Sequence, residues 1–122
     1  MRGLADMIRT AVLVVTLAAP VQAQVFETRC GWLDNPSPAN WWLTDADGSW
    51  TLSVQGQGAP PASFDFEWQG ARSWVETNGS YGFGCACMDV AVNHETRWIE
   101  AAQSVRWLPL SRCDADPALP PR

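Results

Sequence analysis

Four cysteines are the residues of this 122-residue chain whose type and spacing could do chemistry. Cys85 and Cys87 stand two apart in "YGFGCACMDV", with Cys30 and Cys113 far away on either side. The close pair could bind a metal ion or form a redox couple, although redox couples usually have the spacing C-x-x-C. The two could bond each other, but two residues of a strand span about 6.6 Å, the far edge of disulfide geometry. We favour a third arrangement, in which each bonds Cys30 or Cys113, and the choice of partner stays open.

The remaining candidates for catalysis are one histidine and two carboxylate pairs. His94 falls in the predicted turn "NHET", where a solvated side chain is expected. Asp45 and Asp47 occupy another predicted turn, and Asp65 and Glu67 lie on the polar face of an alternating segment. Neither pair is expected to flank a sugar cleft as the carboxylates of glycoside hydrolases do. We therefore predict that the protein is not an enzyme, with no catalytic residue, no metal ligand and no cofactor.

The elements that must position the cysteines are predicted to be β-strands. In "WWLTDADGSWTLSV" apolar residues alternate with polar ones on both sides of an Asp-Gly turn, which predicts a hairpin. Its core face is expected to carry Trp41, Leu43, Trp50, Leu52 and Val54. The segment "FDFEW" (64–68) predicts a short strand, and a longer strand is predicted from Tyr81 to about Val92. The segment "RWIEAAQSVRWL" predicts a return strand. Within it, "EAAQS" could instead form a helical turn. The fold class is mainly β: a small single-domain antiparallel sheet, sandwich or barrel-like, cross-linked by two disulfides.

The glycine-rich stretch before the cysteines has two interpretations. In a strand Gly82, Gly84 and Ala86 share one face, and this row of small residues could receive a tryptophan ring or a neighbouring backbone. The alternative is an exposed recognition loop, whose candidate residues are Asn78, Gly79, Ser80, Tyr81 and Phe83. Of the eight tryptophans, Trp41, Trp50, Trp68 and Trp98 are expected in the core, and Trp42 is predicted to face outward.

The N-terminus has the pattern of a secretory signal peptide over residues 1–23. A basic start precedes a short apolar run, and Val21 and Ala23 are the small residues before the expected cleavage site. We predict a mature chain that begins at Gln24, with one β-rich domain over 24–113 and a Pro-rich, frayed tail over 114–122. An even number of cysteines in a small exported domain is typical of disulfides, so we expect a periplasmic or secreted protein.

The charge of the chain limits its partners. The net charge is −5, and removal of residues 1–23 takes away two arginines and one aspartate, which leaves −6. Such a surface repels nucleic acid. The apolar run is too short to span a membrane. We expect a protein or glycan partner in the cell envelope, and a binding module that inhibits a basic cell-wall hydrolase is one form this could take. The alternative is a metal-binding or thiol-redox protein that uses Cys85, Cys87, Met88 and His94.

Several segments together resemble a known family. "RCGWLDNPSPANWWLTDADGSW", "QGQG", "TNGSYGFGCAC" and "LPLSRC" are similar to the small exported bacterial family catalogued as domain of unknown function 4087. The resemblance runs from Arg29 to about Leu119 and implies an exported single-domain protein with these four cysteines. It supplies no activity, ligand or site. Ser37 and Phe83 stand where threonine and tyrosine are expected. The motif positions are Arg29, Cys30, Gly31, Trp32, Asn35, Pro36, Asn40, Asn78, Gly79, Tyr81, Gly82, Gly84, Cys85, Ala86 and Cys87.

Overall fold

A computed structural model describes residues 10–18, 23–57 and 73–122. Within these ranges six strands and one short helix follow one another. They are β1 (Glu27–Ser37), β2 (Asn40–Asp45), β3 (Gly48–Ser53), β4 (Val75–Asn78), β5 (Tyr81–Val92), β6 (Ile99–Leu108) and α1 (Leu110–Asp114). The predicted strand "FDFEW", with Trp68 and the pair Asp65 and Glu67, lies outside the described residues. No helix in the described ranges has the length and hydropathy of a membrane span.

All six strands form one antiparallel sheet around β5. The order is β3-β2-β1-β5-β4, and β6 also pairs with β5. β4 pairs with the first residues of β5, up to Phe83, while β6 pairs with β5 from Cys85 to Val92. The two ends of the sheet approach at one bridge, where Thr51 pairs with Trp98, but the sheet is not closed. The predicted mainly β, antiparallel fold class is confirmed.

The β2–β3 hairpin forms where the alternation predicts it. Gly48 has a φ of 112°, a conformation that glycine adopts without strain, and it ends the turn after Asp45. Leu43, Trp50 and Leu52 are fully buried in the main core, which lies on the inner face of the curled sheet. The rest of the main core is Leu33, Ala86, Met88, Val90, Ile99 and Ala102, with Trp41 packed against it.

Four details of the strands correct or refine the prediction. Val54 lies just after the end of β3 and is only partly buried. Trp98 is also partly exposed rather than in the core, and Trp42, which is predicted to face outward, is half-buried. "EAAQS" belongs to β6 rather than to a helical turn, because its residues pair with the second half of β5.

The predicted fraying of the C-terminal tail is wrong. Leu119 is buried with Trp32, Cys85 and Cys113 in a second apolar cluster, on the outer face of the sheet. The Trp32 indole Nε1–H donates to the Pro120 carbonyl at 2.8 Å. The disulfide between Cys113 of α1 and Cys85, together with the stiff prolines, reduces the entropy that the tail loses on docking, and burial of Leu119 adds hydrophobic stabilisation. The tail therefore covers part of the outer face.

Candidate functional site

The four cysteines form two disulfides that join both ends of the domain to β5. Cys30 and Cys87 stand opposite each other on β1 and β5, with an S–S distance of 2.06 Å. Cys85 bonds Cys113 of α1 at 2.00 Å. The favoured arrangement is confirmed, and the open choice of partners is settled. The alternative prediction of a bond between Cys85 and Cys87 is wrong. Because all four cysteine sulfurs are in disulfides, the metal or redox hypothesis has no free thiol to use.

The row of small residues on β5 makes room for tryptophan. A Cβ built on Gly84 would lie 2.9 Å from Cζ3 of Trp107 and 3.2 Å from Cε3 of Trp74. At Gly82 it would lie 1.8 Å from the carbonyl oxygen of Val75. At distances below 3.0 Å a neighbour must shift, so a larger residue at Gly82 would collide with the backbone of Val75, and one at Gly84 would displace the Trp107 ring. The packing interpretation of the glycine row is confirmed.

The predicted recognition residues lie in two places, the tip of the β4–β5 hairpin and the wall of a neighbouring cleft. Asn78, Gly79 and Ser80 are exposed at the β4–β5 turn, where Gly79 has a φ of 58°. The turn is held at both ends: the Asn78 side-chain amide donates to the Pro36 carbonyl at 3.3 Å, and the Trp74 indole donates to the Ser80 carbonyl at 3.1 Å. Tyr81 is half-buried below the tip.

Phe83 lies away from the tip, on the outer face of the sheet. Its ring meets the Trp32 ring edge-on, with centroids 5.4 Å apart. This contact places Phe83 in the wall of a cleft of about 310 Å³ between the β4–β5 hairpin and α1. The residues that line this outer-face cleft are Trp32, Val75, Phe83, Leu110, Asp114 and Arg122. Four of the six are apolar, so the cleft has an apolar floor and charged groups at its rim.

An ion pair closes one end of the outer-face cleft. Arg122 Nη2 lies 2.6 Å from Oδ2 of Asp34, whose side chain is largely buried. Burial raises the pKa of Asp34 to about 6, and the positive charge of Arg122 offsets only part of that rise. The Arg122 guanidinium also lies 5.8 Å from the centroid of the Phe83 ring. Arg122 thus helps to form the site, although no local sequence pattern predicts its contact with Asp34.

A second polar cluster surrounds Arg29, which sequence reasoning recognised only as a motif position. Its Nη1 lies 2.7 Å from Oδ2 of Asp45 and 3.0 Å from Oδ2 of Asp47, and its Nη2 lies 3.2 Å from Glu27. Burial disfavours the charged guanidinium, but the hydrogen bonds to the two aspartates outweigh it and raise the pKa of Arg29. Arg29 also stacks 4.0 Å from the Trp50 ring. The cluster fixes β1 to the β2–β3 turn and leaves no open carboxylate pair there.

The remaining candidates for catalysis do not come together. The His94 side chain is 69% exposed, in a turn as predicted, with Nε2 3.4 Å from a carboxylate oxygen of Glu27. The ring meets Trp50 edge-on. In the described part of the chain no three His, Cys, Asp or Glu side chains are grouped so as to hold a metal ion. Among the described residues, the outer-face cleft and the hairpin tip beside it form a concave, largely apolar surface that could bind another molecule.

Comparison with known proteins gives one match. No curated protein and no solved structure matches the chain. The family model described as "Protein of unknown function (DUF4087)" matches residues 24–120. That range holds all six strands, both disulfides and every residue that lines the outer-face cleft except Arg122. Because the match covers most of the sequence, the chain belongs to the DUF4087 family.

Proposed function

We propose that this protein is an exported, non-enzymatic binding module of the cell envelope, and that its partner is a basic protein such as a cell-wall hydrolase. The observation that carries the proposal is the outer-face cleft, which lies beside the exposed turn Asn78–Ser80. A concave apolar surface with a few polar groups is the usual form of a recognition site. The turn is hydrogen-bonded to Pro36 and Trp74, so little conformational entropy is lost when it binds.

The charge of the molecule supports a basic partner. The mature chain would carry −6, and it contains no lysine. Opposite charges on two proteins speed their encounter and disfavour partners of the wrong sign. The comparison with small acidic β domains that inhibit hydrolases is an analogy at the level of the fold. A fold does not determine a function, so the proposal depends on the chemistry of the binding site.

Two observations support export. The large apolar side chains of the N-terminal run are exposed to solvent, with Leu13 86% and Leu17 92% exposed. Exposed apolar runs of this kind are unusual in a folded domain, and a removed leader accounts for them. The two disulfides also suit an oxidising compartment. Intact-mass spectrometry of a periplasmic extract is expected to show a chain that begins at Gln24.

The partner proposal is tested with mature protein and a basic hydrolase such as lysozyme. Binding measured by calorimetry should weaken as salt rises, since screening weakens attraction between exposed charges. Ser80→Arg places a positive charge on the hairpin tip and should weaken binding at least tenfold. Gln103→Arg makes the same change at an exposed position of β6 and should alter binding less than threefold. Equal losses for the two variants would show that the tip is not at the interface.

A further inference from the structure

We propose that the outer-face cleft receives one lysine or arginine side chain of the partner, with the aliphatic stem on the aromatic floor and the cationic head beside Asp114. This inference rests on the proposed function, because it names how a basic partner is held. It goes further than that proposal, because it names one site on this protein and one kind of side chain on the partner. The size of the cleft, the chemistry of its floor and the charges at its rim favour such a side chain.

The size of the cleft suits a single side chain. At about 310 Å³ it lies at the lower end of the roughly 300–1,000 Å³ of small-molecule sites. One wall is the hairpin, with Val75 and Phe83, and the other is α1, with Leu110 and Asp114. Both walls are fixed, because β4 pairs with β5 and the Cys85–Cys113 disulfide ties α1 to β5. A side chain that enters this space meets a preformed surface.

The floor combines aromatic rings with aliphatic groups. Its surface comes from the half-buried Phe83 and Leu110 at the base of the two walls, and Trp32, which is 1% exposed, lies behind them with its ring edge-on to Phe83. Lysine and arginine bury their methylene stems along such surfaces while their charged heads stay near water. A cation close to an aromatic face gains a further attraction, and in known structures the cation is more often arginine than lysine. The floor therefore suits a long cationic side chain better than a short or acidic one.

The charges at the rim favour a cation. Arg122, the one cation that lines the cleft, is already paired with Asp34. The carboxylate of Asp114 is exposed and has no hydrogen-bond or ion-pair partner among the described residues. It is therefore available to an incoming cation. The chain already places one guanidinium on this surface, since Arg122 lies 5.8 Å from the centroid of the Phe83 ring while it pairs with a carboxylate.

The test uses small probes on the mature protein. N-acetyl-arginine amide, N-acetyl-lysine amide and the neutral N-acetyl-norleucine amide are titrated while two-dimensional NMR follows the Trp32 indole N–H and the amides of Phe83 and Leu110. We expect both cationic probes to bind in the millimolar range and to shift these signals, and the neutral probe to bind several-fold more weakly. Equal binding of all three, or shifts confined to another surface, would overturn the inference.

Two matched variants locate the head group. Asp114→Asn should weaken cation binding roughly two- to fivefold, the size of an exposed ion pair. Glu95→Gln removes the same charge in the exposed turn after His94 and should leave the affinity unchanged. As a third change, Val75→Trp fills the cleft and should abolish the shifts at Leu110. An unchanged affinity in Asp114→Asn would remove Asp114 from the site.

The failures of the two proposals are distinguishable. If the basic hydrolase binds the protein and Asp114→Asn and Val75→Trp bind it as tightly as the wild type, the cleft inference fails while the proposed function stands. If the mature chain binds no basic hydrolase at any salt concentration, the proposed function fails whatever the small probes do.

Discussion

At the scale of residues, Arg29 shows how this small domain accommodates a buried cation. Its side chain is 8% exposed, and Asp45, Asp47 and Glu27 surround the guanidinium. Asp45 also accepts a hydrogen bond from the Trp50 indole at 3.0 Å. Buried ions destabilise a fold when they lose their partners, so each member of this cluster depends on the others.

Replacement of Arg29 tests this dependence. Arg29→Met keeps much of the volume but leaves the Asp45 carboxylate buried and uncompensated, so we expect a loss of about 3–5 kcal/mol in the free energy of unfolding. Arg106→Met, at an exposed position of β6, should change it by less than about 0.5 kcal/mol. Adding Asp45→Asn to Arg29→Met should recover part of the loss, because the unpaired charge is then removed. Urea denaturation measures all three.

Asp34 gives the domain a predictable response to pH. Its pKa in the folded chain is about 6, above the ordinary 3.8, so the folded state holds the proton more tightly than the unfolded state. The contribution of protonated Asp34 to stability is therefore fully present below about pH 3.8 and is lost as the pH rises through 6. We expect the stability of the wild type to fall relative to Asp34→Asn between pH 4 and pH 6. Parallel stability curves for the two proteins would contradict this assignment.

At the scale of elements, the local sequence pattern predicted the strands and the turn whose structure depends on residues close together in the chain. Alternation and an Asp-Gly turn were enough for the β2–β3 hairpin, and the strand predicted from Tyr81 to about Val92 has the bounds of β5. The docking of the tail was missed, because Pro120 and Arg122 contact Trp32 and Asp34, 88 residues away in sequence. The helix α1 was missed because its anchor is the disulfide from Cys113 to Cys85, 28 residues away. For the same reason the sequence singled out Phe83 but could not pair it with Val75 and Leu110 in one cleft.

The hairpin predicts a large difference between neighbouring residues. Leu52 is 1% exposed in the main core, whereas Thr51 is only half-buried on the other face. Leu52→Ala should therefore lower the free energy of unfolding by roughly 2–5 kcal/mol, and Thr51→Ala by well under 1 kcal/mol. Chemical denaturation of the two variants compares them directly. Similar losses would show that the alternation has been assigned to the wrong faces.

At the scale of the whole molecule, the two disulfides make β5 the strand on which both ends of the domain are fixed. Their sequence separations are 57 and 28 residues. In the chain-entropy model loops of these lengths stabilise by roughly 3.5–4 kcal/mol each. That is a large part of the ~5–15 kcal/mol that keeps a typical domain folded.

Removal of each disulfide should have a distinct effect. Serine pairs at Cys30 and Cys87, or at Cys85 and Cys113, should each lower the free energy of unfolding by about 2–5 kcal/mol. Only the variant with serines at Cys85 and Cys113 should also release α1 and the tail. In that variant the indole N–H of Trp32 should exchange faster than it would through global unfolding. If the Trp32 indole stays equally protected in both variants, the tail is held by contacts other than the disulfide.

The proposed function requires that a basic envelope protein binds the outer face beside the β4–β5 hairpin. Photo-crosslinking in living cells tests it most directly, with p-benzoyl-phenylalanine at Thr77 on β4 and, as a control, at Glu95, both exposed. We expect an adduct from position 77 with a protein whose pI is above about 9, with a yield that falls in the Asp114→Asn background, and no such adduct from position 95. Equal adducts from both positions, or none from position 77 in cells that export the protein, would contradict it.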